Sequence, residues 1–277
     1  MDCSQLNIAS LNSGSNGNCY FVGNKQDAVL IDAGISCRLT ETRMRRLGLP
    51  MQHIRAIFIS HEHTDHIKGV CGLASKYQVP VYISNKTLLK CRFELPSYLL
   101  RSLSDQQSVQ IGELTIFTFA KHHDAAEPYS FVVSCGETNV GVFTDIGRVC
   151  DQLTNQFKRC HAAFLEANYD DELLMKSNYP YFLKRRISGG SGHLSNQKAL
   201  ELFMDHKPAF MTHLILAHLS AQNNCADLVQ GMFERHAIDT RIIVASRHEE
   251  TEVYHINGPV TRFKQHTIFE QAALNSF

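Results

Sequence analysis

Read for the spacing of apolar and polar positions, the chain opens with three short β-rich segments, "LNIASLN", "NCYFVG" and "AVLIDAG". In "CRLTETRMRRLGL" the period changes, with Leu39, Met44 and Leu47 at helical spacing behind Ser36 as N-cap. Strand and helix patterns then alternate. "IRAIFIS" predicts a strand, "HIKGVCGLASKYQ" a helix, "VPVYIS" a strand and "NKTLLKCRFEL" a helix capped by Asn85. A β-rich block follows, "SVQIGELTIFTFA" and "YSFVVSCGETNVGVFTD", with "CGET" as a hairpin turn. "HAAFLEA" and "HLILAHLS" predict strands, each followed by a helical pattern, and "RIIVAS" and "TEVYHI" close the sheet-forming part.

β-meanders mixed with β-α units imply an α/β fold of two mixed sheets packed face to face with helices outside. No repeat, low-complexity tract or Pro/Gly/Ser linker divides the chain, so one domain spanning 1–277 is expected. Composition adds exclusions. At 44% apolar and 19% charged residues the chain is outside the disordered class, and its apolar runs are too short and interrupted to cross a bilayer. "MDCSQLNIAS" lacks the basic and apolar regions of an export signal, which makes a cytoplasmic location the expectation. Nine cysteines without a C-x-x-C pair argue against a disulfide framework or a thiolate zinc finger, and Cys19, Cys71 and Cys135 are expected as small core residues. Lys plus Arg equals Asp plus Glu at 27 each, so a polyanion would have to be attracted locally. The outlier is histidine, at 15.

Those histidines concentrate in "FISHEHTDHIKG", residues 58–69. A strand-to-helix loop bearing H-x-H-x-D-H offers up to four ligands, with His61 and His63 on one side and Asp65 and His66 free to serve a second metal. Imidazole and carboxylate suit Zn²⁺, Mn²⁺ or Fe²⁺. One His-x-His would be unremarkable in a solvated loop; four ligand types in six positions after a buried strand are not.

The motif resembles the signature of the metallo-β-lactamase fold superfamily, which implies a four-layer αββα arrangement and two divalent metal ions. The resemblance implies a further histidine from mid-chain, a bridging aspartate and a final histidine at a strand end. "KHHDAAEP" offers His123, "VFTDIG" Asp145 and "LILAHLS" His218. On that pattern His61, His63 and His123 hold one metal, Asp65, His66 and His218 the other, and Asp145 bridges them. His122 and His213 are the competitors. Strand alternation turns His122 away, and His213 begins its strand where a ligand should end it. Asp32 in "LIDAG" resembles the superfamily's buried aspartate that braces the metal loop.

Two divalent ions outweigh two aspartates and a metal-bridging hydroxide, so an anion is the natural guest and hydrolysis the expected reaction, with the hydroxide attacking. Fold alone leaves lactams, thioesters and phosphodiesters open. "EANY" and "GHLS" resemble the glutamate–histidine pair of the superfamily's phosphodiesterases, ribonuclease Z among them. That implies catalytic roles for Glu166 and His193 beside Asp65, although alone they also read as a helix-start acid and a loop histidine. Lys184, Arg185 and Arg186 lie between them and could meet phosphates or simply face solvent. The turn "SGSNGNC" offers Ser13 and Asn16 as an anion nest or an ordinary hairpin turn, and Ser195 is expected to cap a helix beside the site and, like them, to contact substrate.

Nearly the whole chain resembles the WalJ/YycJ branch, through "SGSNGNC", "LIDAG", "SHEHTDHIKGV", "HDAAEP", "TDIG", "LEANYD", "YPYFLKRRI", "GHLSN" and "LAHLSAQNN". Membership implies a bacterial cytoplasmic metal-dependent nuclease with DNA as partner and 5′-to-3′ exonuclease activity. Tyr169 stands where the branch commonly has histidine, which could alter stacking at the site. The stretch from Asp145 to His218 is too short for the large cap of the β-CASP nucleases. A metallo-hydrolase of small substrates, or a regulatory protein that keeps metals for stability, is the alternative. Oligomeric state is not legible.

Overall fold

The computed structural model describes residues 5–258. The first half runs β1 (Gln5–Asn12), β2 (Cys19–Gly23), β3 (Ala28–Ile31), α1 (Cys37–Arg46), β4 (Ile54–Phe58), α2 (Thr64–Ile67), α3 (Val70–Tyr77), β5 (Val81–Ser84), α4 (Asn85–Lys90) and β6 (Leu100–Leu103). The second half runs β7 (Ser108–Ile111), β8 (Leu114–Ala120), β9 (Tyr129–Cys135), β10 (Thr138–Phe143), α5 (Asp151–Phe157), β11 (Ala162–Glu166), α6 (Asp171–Lys176), α7 (Tyr181–Ser188), α8 (Asn196–His206), β12 (His213–Ala217), α9 (Ala226–Glu234), β13 (Arg241–Val244) and β14 (Tyr254–Asn257).

The first half with β14 builds one sheet, and the rest of the second half builds the other by similar wiring. The first has the order β14-β1-β2-β3-β4-β5-β6 and the second β13-β12-β11-β10-β9-β8-β7. In both, antiparallel pairs give way to parallel ones, at β3–β4 and at β10–β11. Parallel neighbours need a long crossover, and the intervening helices supply it. The strands of each parallel set therefore point one way, and the loops at their C-terminal ends collect along one edge of the molecule.

The inner faces interlock through large side chains. Tyr20 meets Phe164 at 4.9 Å and Phe58 meets Phe131 at 5.9 Å between ring centroids, within a core that also holds Ile8, Val29 and Ile215. Outside the first sheet, Met44 of α1 and Val70 and Leu73 of α3 cover Leu30 and Ile57. Outside the second, Leu153 of α5, Phe203 of α8 and Phe233 of α9 cover Phe143, Leu165 and Leu216. This is the expected layering of helices, two mixed sheets and helices. No helix of the described residues is long and apolar enough to cross a membrane.

Local differences from the sequence reading have local causes. The helix expected over "HIKGVCGLASKYQ" breaks into α2 and α3 because Gly69 docks on the loop after β3: its amide donates to Ala33 O at 2.7 Å, and a Cβ there would strike Ile35 O. The cap of α4 is Ser84, not Asn85. Ser84 keeps the extended backbone of β5 and its Oγ accepts from Thr87 N, while Asn85 is already helical. That helix stops at Lys90, so "CRFEL" lies beyond it, and β6 is an unforeseen parallel edge strand on β5. Ser36 caps α1 as expected, but Leu39 is exposed. Cys19 and Cys135 are buried, whereas Cys71 is only partly so. The "CGET" turn joins β9 to β10 through two residues, with Gly136 at φ 56°.

Phe164→Ala would empty a fully buried site between the sheets. Urea unfolding should show a loss of about 3–5 kcal/mol; a loss below about 1 kcal/mol would contradict the inter-sheet packing described.

Candidate metal centre and active site

The chemistry-bearing side chains stand at the C-terminal ends of strands. Asp32 follows β3, His61 to His66 follow β4, His123 follows β8, Asp145 follows β10, Glu166 ends β11 and His218 follows β12. The chain reverses sharply at three of these ends. Asp32, Asp145 and His218 have φ of 61°, 54° and 58°, a left-handed conformation that costs a non-glycine residue about 1–3 kcal/mol. Hydrogen bonds hold each turn: Asp32 N to Phe58 O, Ile146 N to Glu166 Oε2 at 2.6 Å, and His218 N to Ser13 Oγ at 2.7 Å.

The structure brings the seven sequence-derived ligands together. On one side, His61 Nε2 lies 3.0 Å from His63 Nδ1, which lies 3.4 Å from His123 Nε2. On the other, Asp65 Oδ2 lies 3.5 Å from His66 Nε2 and 3.4 Å from His218 Nε2. Asp145 stands between, with Oδ2 3.3 Å from His66 Nε2 and Oδ1 3.5 Å from His218 Nε2 and 3.8 Å from His123 Nε2. Ligands about 2.0–2.1 Å from a tetrahedral cation are separated by about 3.3 Å, so these spacings are those of donors waiting round a metal. Asp145 Oδ2 is buried and has no hydrogen-bond partner, which a cation would supply. The residues present fit divalent metal.

A second set of groups fixes the ring orientations. Asp32 Oδ2 takes His66 Nδ1 at 2.7 Å and the Ser60 hydroxyl at 2.8 Å, and that hydroxyl meets His61 Nδ1 at 2.9 Å. One carboxylate thus orients two imidazoles and leaves both Nε2 atoms facing the centre. His123 Nδ1 donates to Gly192 O at 2.8 Å. Glu166 is fully buried: Oε1 takes His193 Nδ1 at 2.7 Å and stands 3.3 Å from His218 Nδ1, while Oε2 accepts Ile146 N and Leu194 N. A polar chain from His218 N through Ser13 Oγ, Tyr20 Oη and Asn18 ends on Asp65 Oδ2, tying two ligands of one side together. Gly34 makes this assembly possible, because a Cβ there would collide with Asp65 O.

The charges divide the pocket. Burial, with His66 and Lys121 nearby, keeps the His61 imidazole well below its usual range, and burial with Lys121 and His193 lowers His123 to about 4. Burial also opposes protonation of His66 and His218, but the carboxylates around them win. Asp145, Asp32 and Asp65 raise His66, and Asp145, Asp65 and Glu166 push His218 up to about 10. Burial would raise Glu166, yet the charge and hydrogen bond of His193 hold it down to about 2. Without metal, the acids favour protons on His66 and His218, which offset part of their negative charge.

A small cavity opens onto these groups, lined by His63, Asp65, Asp145, His193 and His218, by Ser15 and Asp124, and by Leu183, Arg186, Ile187 and Gly192. The expected secondary contacts fare unequally. Arg186 lines the cavity and pairs with Asp124 at 2.6 Å, but Lys184 turns back to Met175 O and Arg185 lies over the Tyr181 ring at 6.0 Å. Ser13 and Ser195 are buried rather than open to substrate: Ser13 serves the polar chain, and Ser195 caps α8 by accepting from Lys198 N. Asn16 donates to Arg247 O, and its neighbour Ser15 faces the cavity instead. Tyr169 is buried and away from the lining. His122 is exposed, and His213 lies against Tyr254 at the far end of β12.

Asn18, Tyr20, Ser60, Asn168 and the Gly192 carbonyl escaped the sequence reading. Asn168 binds His218 O at 2.7 Å. For Asn18 and Tyr20 the signal was present in and beside "SGSNGNC", though it pointed to bracing and not to a guest.

Two mixed sheets with a histidine–aspartate cluster at their joined edge define a metallo-hydrolase of the β-lactamase superfamily, and residues 27–218 match the family described as a β-lactamase superfamily domain. The chain belongs to the metallo-β-lactamase fold superfamily, in the branch that includes YycJ and WalJ. It is 34% identical over 233 residues to the exodeoxyribonuclease YycJ of Bacillus anthracis, covering 81% of this chain and 86% of that one. It is 31% identical over 225 residues to the exodeoxyribonuclease WalJ of Streptococcus pneumoniae, covering 79% and 83%. Among solved structures, the metallo-β-lactamase fold protein YhfI of Bacillus subtilis superimposes with a TM-score of 0.71 at 15% identity, over 91% of this chain and 99% of that one.

Because the carboxylates around His66 and His218 favour their protonated forms and ligation removes those protons, metal binding should release protons at pH 7.5, and affinity should rise with pH towards the value of about 10 to which His218 is pushed. Titration calorimetry of chelated protein with Zn²⁺ in buffers of different ionisation enthalpy measures this. A heat independent of the buffer would contradict it.

Proposed function

We propose that this hydrolase is a dinuclear metal-dependent phosphodiesterase that removes nucleotides from DNA ends in the 5′-to-3′ direction. The observation that carries the reading is the His193–Glu166 pair. His193 lines the cavity, and its Nδ1 sits 2.7 Å from Glu166 Oε1 and 3.8 Å from Asp145 Oδ1. His61, His63 and His123 would hold one cation, Asp65, His66 and His218 the second, and Asp145 would bridge them. Two such ions, Zn²⁺, Mn²⁺ or Fe²⁺, would supply a water activated near neutral pH and positive charge for the oxygens of the displacement.

The chain's own residues do the rest. Glu166, ionised and buried, takes the Nδ1 hydrogen of His193 and so fixes the tautomer and orientation of that ring. The other ring nitrogen can then donate a proton to the departing oxygen, which would otherwise leave as an alkoxide. Arg186 adds positive charge at the cavity wall, and its pairing with Asp124 sets the angle of its guanidinium. Asp65, held by Asn18, orients one side of the centre. A carbonyl hydrolase, such as a lactamase or thioesterase, would share every metal ligand but has no use for a proton donor so anchored. The names of YycJ and WalJ support the same reading. One domain without a large cap, leaving the cavity open to a DNA end, and a cytoplasmic location belong to it, the latter supported by eight cysteines without a disulfide among the described residues.

With Mn²⁺ or Zn²⁺ the protein should release mononucleotides from end-labelled DNA, and Asp65→Ala should abolish this. His193→Ala should lower kcat about 10²–10⁴-fold while metal content stays unchanged. Turnover of a chromogenic cephalosporin or an acyl-glutathione, without any nucleotide release, would overturn the proposal.

A further inference from the structure

The helix α7 is unusual in burying none of its residues, although Leu183, Arg186 and Ile187 on one of its faces wall the cavity. At about 100° per residue, Phe182 lies on the flank of that face, one turn before Arg186 and beside it, whereas Tyr181 and Arg185 share the opposite side. Phe182 is 73% exposed. The helix is nonetheless well placed, since Ile187 O takes His193 N at 2.8 Å and the Gly192 carbonyl just beyond takes His123 Nδ1. An exposed aromatic ring thus stands on the flank of the helix that walls the cavity, beside Arg186, and that helix is tied to the backbone of His193.

The cavity itself, at about 200 Å³, is below the size of ordinary small-molecule pockets, which run to about 300–1,000 Å³. It can take a phosphate and little more. A nucleobase attached to that phosphate must stay outside, on the rim.

We infer that Phe182 is the platform on which the base of the terminal nucleotide stacks while Arg186 meets its phosphate. This rests on the nuclease reading and adds to it the residue that engages the base. An aromatic face beside a cation is the combination by which proteins hold single-stranded nucleic acid without reading its sequence, because every base presents a π-face.

The test compares wild type with Phe182→Ala, Phe182→Trp and, as a control on the outer face, Tyr181→Ala. Each is assayed for equilibrium binding and nucleotide release on single-stranded DNA whose terminal residue is either normal or abasic. For Phe182→Ala, KM on the normal end should rise about five- to a hundredfold with kcat little changed. On the abasic end it should match wild type, and Phe182→Trp should restore the normal value. Tyr181→Ala should behave as wild type on both. An equal loss on both ends, no loss on either, or conversion of a dimer to monomer by light scattering in Phe182→Ala would overturn the inference; the last would show that a second copy covers the ring. If wild type neither binds nor cleaves DNA, the nuclease reading falls and this inference with it, whereas wild-type cleavage indifferent to Phe182 sinks the inference alone.

Discussion

Asp32, Asp65, Asp145 and Glu166 gather at one edge of two packed sheets, and the repulsion among these carboxylates is the constraint around which the site is arranged. Three are essentially fully buried, and a buried charge without a partner is among the costliest features a fold can carry. Protons on His66 and His218 offset part of that charge in the metal-free protein. Divalent cations would do so more completely, and they would also engage Asp145 Oδ2, which among the described residues has only His66 Nε2, 3.3 Å away, as a near charged partner.

That constraint explains why backbone turns and second-layer side chains are so specific here. Left-handed turns at Asp32, Asp145 and His218 bring strand ends close enough for their side chains to share a centre. The cost is carried by packing beneath, where Tyr20, Phe58, Phe131 and Phe164 hold the sheets face to face. Tyr20 belongs to both systems: its ring meets Phe164 in the core, and its hydroxyl links Ser13 to Asn18. A change in the core is therefore felt at the metal ligands through one side chain.

How much of this was legible depended on whether a role shows in residue type. His61, His63, Asp65 and His66 stand within six positions, and no structural need accounts for such a run, so half the centre could be read directly. His123, Asp145 and His218 are far apart in sequence and were reached only through resemblance, because a single histidine at a strand end carries little signal. The Gly192 carbonyl on His123 could not be found at all, since every residue has a carbonyl. Ser13 was misplaced for a related reason, and Ser195, which caps α8 as expected, only as a substrate contact: a hydroxyl in a polar turn looks the same whether it faces a guest or serves its own backbone. Helix limits failed where tertiary contact overruled pattern, as when Gly69 docks against the loop after β3. The layered fold itself was legible because each half alternates pattern in the same order, meander first and crossovers after.

The account stands or falls on whether the facing imidazole nitrogens and carboxylate oxygens hold two cations. Crystals grown with Mn²⁺ and measured at the metal absorption edge locate such ions directly by anomalous scattering. Two peaks are expected, about 3.5–4 Å apart, with Asp145 contacting both. A single peak, or peaks outside the cluster of His61, His63, Asp65, His66, His123 and His218, would contradict it.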